Sequence, residues 1–308
     1  MKHKTRGAAL ATAALVALIA LFGMTGCPNN AGGGGTPQAS LVSGGASLIL
    51  SSDKLTIKVT VKTADSSSVT VEGCTETTLT SDSETELHAK GTTVILKGRI
   101  IKLVCSDNRL IALNVQGLSA LEELVCSDNW LTALNVQGLN ALEVLLCGSN
   151  RLTELNVQGL SALKSLGCQN NRLAELNVQG LNALKLLDCF NNQLTDLKVH
   201  NLSALESLSC QGNQLTSLNV IGCTALKTLN RSSNKIAGKF AVPAFFNSLP
   251  DRLPADDARC YLYTEKAGVP EGNLTNFTGS GVATAFQNAK NRNWKMYKYD
   301  ANGDPVEI

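Results

Sequence analysis

Leu124-Val125-Cys126-Ser127-Asp128-Asn129-Trp130-Leu131 is one copy of a phrase that recurs from Leu103 to Lys235: leucine, any residue, cysteine, two residues, asparagine, one residue, leucine. Cys105, Cys126, Cys147, Cys168, Cys189 and Cys210 are spaced 21 residues apart, and Asn108, Asn129, Asn150, Asn171, Asn192, Asn213 and Asn234 keep the same step. No helix or hairpin has that period. The interval is therefore the length of one structural unit, stacked on copies of itself.

With Leu121 as the first position of a unit, apolar residues follow as Leu124, Cys126, Leu131, Leu134, Val136 and Leu139. The alternation in Leu124 to Cys126 points every second side chain inward, and Leu131 to Val136 repeats the phrase. Each coil should then present two short extended segments, with successive coils pairing in parallel about 4.8 Å apart. Six inward thiols could be imagined as a metal wire or a disulfide chain. Parallel Cβ vectors on stacked strands rarely meet disulfide torsions, so the cysteines are better read as small apolar fillers. An inward asparagine in the turn after a strand can satisfy backbone groups of its own and neighbouring coils, a problem every solenoid has.

These residues resemble the leucine-rich repeats in their bacterial 21-residue form, Leu-x-x-Leu-x-Cys-x-x-Asn-x-Leu-x-x-Leu-Asn-Val, with six strong copies and a degenerate seventh. The resemblance implies a mainly β fold: a right-handed solenoid with a parallel sheet on its concave face, as in internalin-like surface proteins. It carries no catalytic residues over, because members bind with whatever side chains vary on the sheet. Arg231 stands at the cysteine position and Lys239 at a leucine position. The solenoid is therefore expected over residues 100–238, with neither a seventh nor an eighth rung closing on itself.

The flanks read differently. Lys2, Lys4 and Arg6 precede the apolar stretch Ala8 to Phe22, and Gly23-Met24-Thr25-Gly26-Cys27 follows. This resembles the signal peptide and lipobox of bacterial lipoproteins, which implies cleavage after Gly26 and acylation of Cys27. The chain would then be exported and held by lipid at a bacterial membrane, in the outer membrane or at the cell surface. Residues 27–45, with Gly32 to Gly35, have the composition of a flexible tether. Residues 46–99 alternate as in Leu55, Ile57, Val59 and Val61, the pattern of a small β cap. Residues 239–308 hold most of the aromatic residues and read as a small α/β cap, with helices over Val242 to Leu249 and Gly281 to Asn291 and strands over Arg259 to Tyr263 and Trp294 to Tyr299.

Chemistry is sparse. Removing the three leader cations from 27 basic residues leaves 24 against 25 acidic ones, so nothing suggests nucleic acid as a partner. His88 and His200 lie far apart, with no Cys-His or Ser-His-Asp grouping in the spacing. Glu154, Glu175 and Asp196 recur at one position and could form paired carboxylates or a calcium site, but a solvated stripe balanced by Arg151 and Arg172 is the simpler account. Neither a cofactor nor a metal is expected, nor an enzyme. Cys223 and Cys260 remain open between free thiols and a bridge.

Function should lie where the copies differ. Position 3 runs Lys102, Glu123, Val144, Ser165, Leu186, Ser207, and position 5 runs Val104, Val125, Leu146, Gly167, Asp188, Ser209. Both alternate with buried positions and should face out of the sheet. Val104, Val125, Val144, Leu146 and Leu186, with Phe190 and Trp130, would form an apolar patch flanked by Arg109, Asp128 and Arg151. Such a patch fits a partner protein or glycan on a host cell, a neighbouring cell or the envelope. A fold of the N-terminal cap over part of it would remove the site.

Overall fold

The computed structural model describes residues 39–308; the leader, Cys27 and most of the expected tether lie outside the described residues. The first strands are β1 (Gly45–Leu50), β2 (Thr56–Thr63), β3 (Val69–Glu72), β4 (Thr78–Leu79), β5 (Ser83–His88) and β6 (Thr93–Lys97). In β2 the alternation works as the sequence suggests, burying Ile57, Val59 and Val61 while Lys58 and Lys62 face solvent. The first coil supplies β7 (Ile100–Val104) and β8 (Leu110–Asn114). β7 pairs antiparallel with β2, which pairs with β5; β8 pairs antiparallel with β1 in the order β4-β3-β6-β1-β8. The N-terminal region thus extends both walls of the first coil sideways. Its seating begins early: within the stretch expected to be tether, Ala39 is buried and its carbonyl accepts a bond from Asn114 Nδ2 at 3.1 Å, while Leu41 stays exposed.

The following coils place β9 (Glu123–Val125), β10 (Val144–Leu146), β11 (Ser165–Gly167), β12 (Leu186–Asp188), β13 (Ser207–Ser209) and β14 (Thr228–Asn230) side by side. All pair in parallel with the same register, Leu124 against Leu145, Leu166, Leu187, Leu208 and Leu229 in turn. The fold is a leucine-rich-repeat solenoid. One expectation fails: past the first coil, the second half of each unit is not a strand but a run of turns with isolated bridges such as Asn156 to Asn177. The reason is local. Asn135 Oδ1 accepts from Gln137 N at 3.0 Å, closing an Asx-type turn, and the carbonyls of Asn135 and Gln137 accept from the Gln116 side chain at 3.0 and 3.2 Å. Side chains occupy the bonds a second ladder of strands would have used.

Inside the stack, every ladder cysteine from Cys105 to Cys210 is fully buried among leucines. Cys223 and Cys260 are both free thiols, and Cys223 Sγ donates to the Val199 carbonyl at 3.1 Å, so no bridge joins them. Burial pushes the thiols of Cys105, Cys210 and Cys260 up to about 12, consistent with inert packing. Asn150 shows the asparagine bond set: Nδ2 donates to the carbonyls of Cys126, Cys147 and Gly148, and Oδ1 accepts from Leu131 N at 3.0 Å. Asn129, Asn171, Asn192 and Asn213 repeat it. The residue before each asparagine takes a positive φ, as in Asp128 at 55° and Asn170 at 54°, which is why Asp, Asn, Ser or Gly occupies it.

The C-terminal region holds α1 (Ala241–Ser248), β15 (Ala258–Thr264), α2 (Ser280–Asn291), β16 (Trp294–Tyr299) and β17 (Pro305–Glu307). It is not a separate closure of the stack. β15 and β16 add to the same sheet in parallel, and only β17 turns back antiparallel. The seventh rung, expected to fail at Arg231, is complete: β14 pairs on both sides, and Asn234 Nδ2 donates to the carbonyls of Cys210 and Arg231 at 3.0 Å. Only a backbone carbonyl is needed at the cysteine position, so a larger side chain is tolerated where helix α1 makes room. The Arg231 guanidinium lies buried over Phe245 at 4.5 Å and Phe246 at 6.0 Å. An eighth rung follows. Asn273 Oδ1 accepts from Ile236 N at 2.8 Å while its Nδ2 donates to the carbonyls of Arg231 and Leu262, the bonds of a ladder asparagine.

Candidate binding surface on the concave sheet

The open face of the sheet carries two rows of side chains, set by strand register and the two-residue period. One row runs Val104, Val125, Leu146, Gly167, Asp188, Ser209, Asn230, Tyr261 and Tyr297; the other runs Lys102, Glu123, Val144, Ser165, Leu186, Ser207 and Thr228. Val104, Val125 and Leu146 sit on adjacent strands, with Val144 two residues from Leu146, and all four are half-buried. This is the compact part of the expected patch. Leu186 and Phe190, also half-buried, are set apart from it by strand β11, whose Ser165, Leu166 and Gly167 are buried. The N-terminal strands extend the sheet beside Val104, with Thr60 as its register partner, rather than folding over the face.

Trp130 and its arginines form a cluster of their own, on the turn after the strands. Arg109 and Arg151 flank the indole at 5.5 and 4.8 Å, and Asp53 pairs with Arg109 at 2.6 Å. Arg151 therefore stacks on Trp130 instead of balancing the acid stripe. Asp128 is exposed nearby in sequence, on the same turn. Charges pair between coils, Lys102 with Glu123 at 3.1 Å on the face and Lys164 with Glu143 at 2.6 Å just before the strands. Such exposed pairs contribute a few tenths of a kcal/mol each and serve register more than stability. In the middle of the face, burial raises the carboxyl of Asp188, opposed by a hydrogen bond from Ser209.

The acidic recurrence Glu154, Glu175 and Asp196 lines an open groove of about 910 Å³ on the other side of the coils, with Asp196 paired to Lys198 at 3.5 Å. Among the described residues no group of three His, Cys, Asp or Glu side chains is placed to hold a metal. His200 lies half-buried on the fifth coil, while His88 sits on β5 with Nδ1 2.8 Å from Glu76 Oε1.

Two features escaped the sequence reading. Gln116, Gln137, Gln158 and Gln179 form a second ladder, each Nε2 donating to carbonyls of the next coil, as Gln158 does to Asn177 at 2.9 Å. Four identical glutamines at a solvent-facing position were the available signal. The other is aromatic: Tyr261 stacks on Tyr297 at 5.2 Å and on Tyr299 at 5.3 Å, at the C-terminal end of the open face. Reading residues 239–308 as a cap hid these as face positions.

No protein-family model matches the chain, and no curated protein matches it. Among solved structures it is similar to three proteins of Listeria monocytogenes. One is an internalin, inlF, at 26% identity over 42% of this chain and 47% of that one, with a TM-score of 0.36. Another is the functional domain of InlJ, described as including a cysteine ladder, at 21% identity over 57% of this chain and 52% of that one, TM-score 0.35. The third is internalin C2, at 23% identity over 48% of this chain and 80% of that one, TM-score 0.38. The chain spans about half the length of the first two. The fold assignment rests on the strand register and the asparagine ladder rather than on these likenesses.

Proposed function

We propose that this chain is a non-catalytic binding protein that holds a protein partner against the concave face of its solenoid. The observation that carries the reading is the row Val104, Val125 and Leu146 with Val144: apolar, half-exposed and contiguous, on a face where the coils otherwise vary. Coils fixed by the buried Leu, Cys and Asn present these side chains on a rigid backbone, so little ordering entropy opposes association. The leader and Cys27 support export and lipid anchoring, with display at the cell surface and adhesion to a host or neighbouring cell as the role; among the described residues no helix is long and apolar enough to cross a membrane. A second role, as an envelope scaffold facing the periplasm, would use the same face. Glycans are the other class of partner for it.

The test compares the full-length chain with its Leu146→Asp variant in capture from host-cell surface and bacterial envelope material. The variant should lose the captured protein while its Tm stays within a few degrees of the parent, because a half-exposed face residue adds little to the core. Equal loss of binding and of stability would show that the row is interior and end the proposal. Protease treatment of intact cells separates the two locations: complete protection of the chain counts against surface display.

A further inference from the structure

A pocket of about 500 Å³ opens where the loop leaving β15 stands beside the turns of the preceding coils. It exists because the eighth coil is longer than the others: Asn273 lies 11 residues beyond Leu262, whereas Asn234 lies 3 beyond Arg231. The extra chain is pinned. Glu271 accepts from Ser233 N and Thr264 N through Oε2 and from Asn273 N through Oε1, each at 2.8 Å, and Gly272 N donates to the Asn234 carbonyl. The wall is therefore set before any ligand arrives.

The lining defines the ligand. It offers the side chains of Asn191, Gln211, Gln214 and Ser232, the single cation Lys266 and the ring of Tyr299, and it includes no carboxylate, histidine or cysteine. A metal would need just those missing groups, and a phosphate would call for more than one cation. Val269 and Pro270 add apolar wall beside these polar groups. Tyr299 lines the pocket with its ring fixed in place, stacked on Tyr261 at 5.3 Å and its hydroxyl accepting from Asn230 Nδ2 at 3.1 Å. Gln211 Oε1 is buried without a hydrogen-bond partner, so its amide has bonding capacity unspent within the chain. Amides and hydroxyls that donate and accept, beside one aromatic plane, match a sugar ring: hydroxyls around its edge, C–H bonds on its face. The volume lies within the range of small-ligand sites.

We propose that this pocket binds a terminal sugar unit of a glycan. The assignment shares with the proposed function only the premise of binding without catalysis, since its residues lie at the opposite end of the face from Leu146. Calorimetric titration of the purified full-length chain with chitotriose, maltotriose, a galactose trisaccharide and tri-glucuronate tests it, with a glycine-rich hexapeptide and inorganic phosphate as comparators. At least one saccharide should bind, and Tyr299→Ala and Gln211→Leu should each weaken it about ten-fold, the loss of roughly one good contact. Leu146→Asp should leave saccharide affinity unchanged, so the two proposals fail separately. No saccharide binding at about 10 mM, below the range of useful affinity, would overturn the assignment. So would binding that survives Gln211→Leu in a variant with unaltered Tm, or the hexapeptide or phosphate binding in place of every sugar.

Discussion

The two ends of the stack close in different ways. At the N-terminal end the strand direction reverses: β2 lies antiparallel on β7, and Asn108 clasps it by donating to the Lys58 carbonyl at 2.7 Å and accepting from Lys58 N at 3.0 Å. At the C-terminal end the direction is kept through β15 and β16, with Asn273 doing for the eighth coil what Asn150 does for the third. The comparison shows what the solenoid requires. Each coil needs an inward amide to satisfy carbonyls on its own strand and its neighbour's; the length of chain that brings it there is free.

The largest effect that could break this equivalence is loss of a ladder amide. Asn171→Ala removes one of two amide donors from Cys147 O and from Cys168 O, which Asn150 and Asn192 still serve, and takes the acceptor from Leu152 N; all three groups are buried, and the change should cost about 3 kcal/mol in urea unfolding. Asn273→Ala exposes the same three kinds of group and should cost nearly as much. Asn108→Ala should fall lower, because its clasp is only part-buried. If Asn273→Ala lay within about 0.5 kcal/mol of the parent, the range of an ordinary surface change, the C-terminal coil would be a loop resting on the stack rather than a member of it.

A smaller effect should have the opposite sign. Arg231 is fully buried and, among the described residues, none of its guanidinium nitrogens has a hydrogen-bond partner; burial draws its pKa down from the usual value. Stacking on Phe245 offsets only part of that desolvation. Arg231→Leu, which restores an apolar ladder position, should leave stability equal or raise it by about 1 to 4 kcal/mol, as replacing buried charges by packed apolar groups often does. A lower Tm would mean that the guanidinium stabilises the junction between regular and irregular coils.

How much of this was legible in the sequence follows from the same contrast. The coil length, the inward leucines and cysteines and the bonding role of the asparagines could be read because one interval repeats without interruption from Cys105 to Cys210. Strand β16 lies where a strand was expected, over Trp294 to Tyr299. Asn273 was not, because the insertion after Tyr263 breaks the interval and leaves no local mark on an asparagine in a loop. The rung at Arg231 was misjudged for a related reason: an arginine at a core position argues against a coil until the ring of Phe245 is known to lie against it. The open face of the sheet was half legible. Register placed Val104, Val125 and Leu146 together as expected, but Tyr261 and Tyr299 became face residues only once β15 and β16 were seen to continue the sheet.

The smallest effect sharpens the comparison at the N-terminal edge, which holds an ionisable clasp. Glu76 accepts from His88 N at 2.7 Å and faces His88 Nδ1 at 2.8 Å, tying the segment between β3 and β4 to the outermost strand β5. The backbone N–H of His88 first, and its ring second, pull the Glu76 carboxyl from 4.5 down to about 2. Glu76 in turn raises His88 above 6.5, through the hydrogen bond first and charge second. The lowered acid contributes above 4.5 and loses that contribution as pH falls through about 2. The raised histidine contributes below 6.5 and loses it as pH rises through its folded value. The clasp is therefore complete between 4.5 and 6.5 and weakens on either side. An NMR titration of the His88 ring should show a midpoint above the ordinary histidine value that drops in Glu76→Gln, while unfolding at neutral pH barely changes because His88 is exposed and Glu76 only half-buried. An unchanged His88 midpoint in that variant would mean that the N-terminal edge is held by its strand pairing alone.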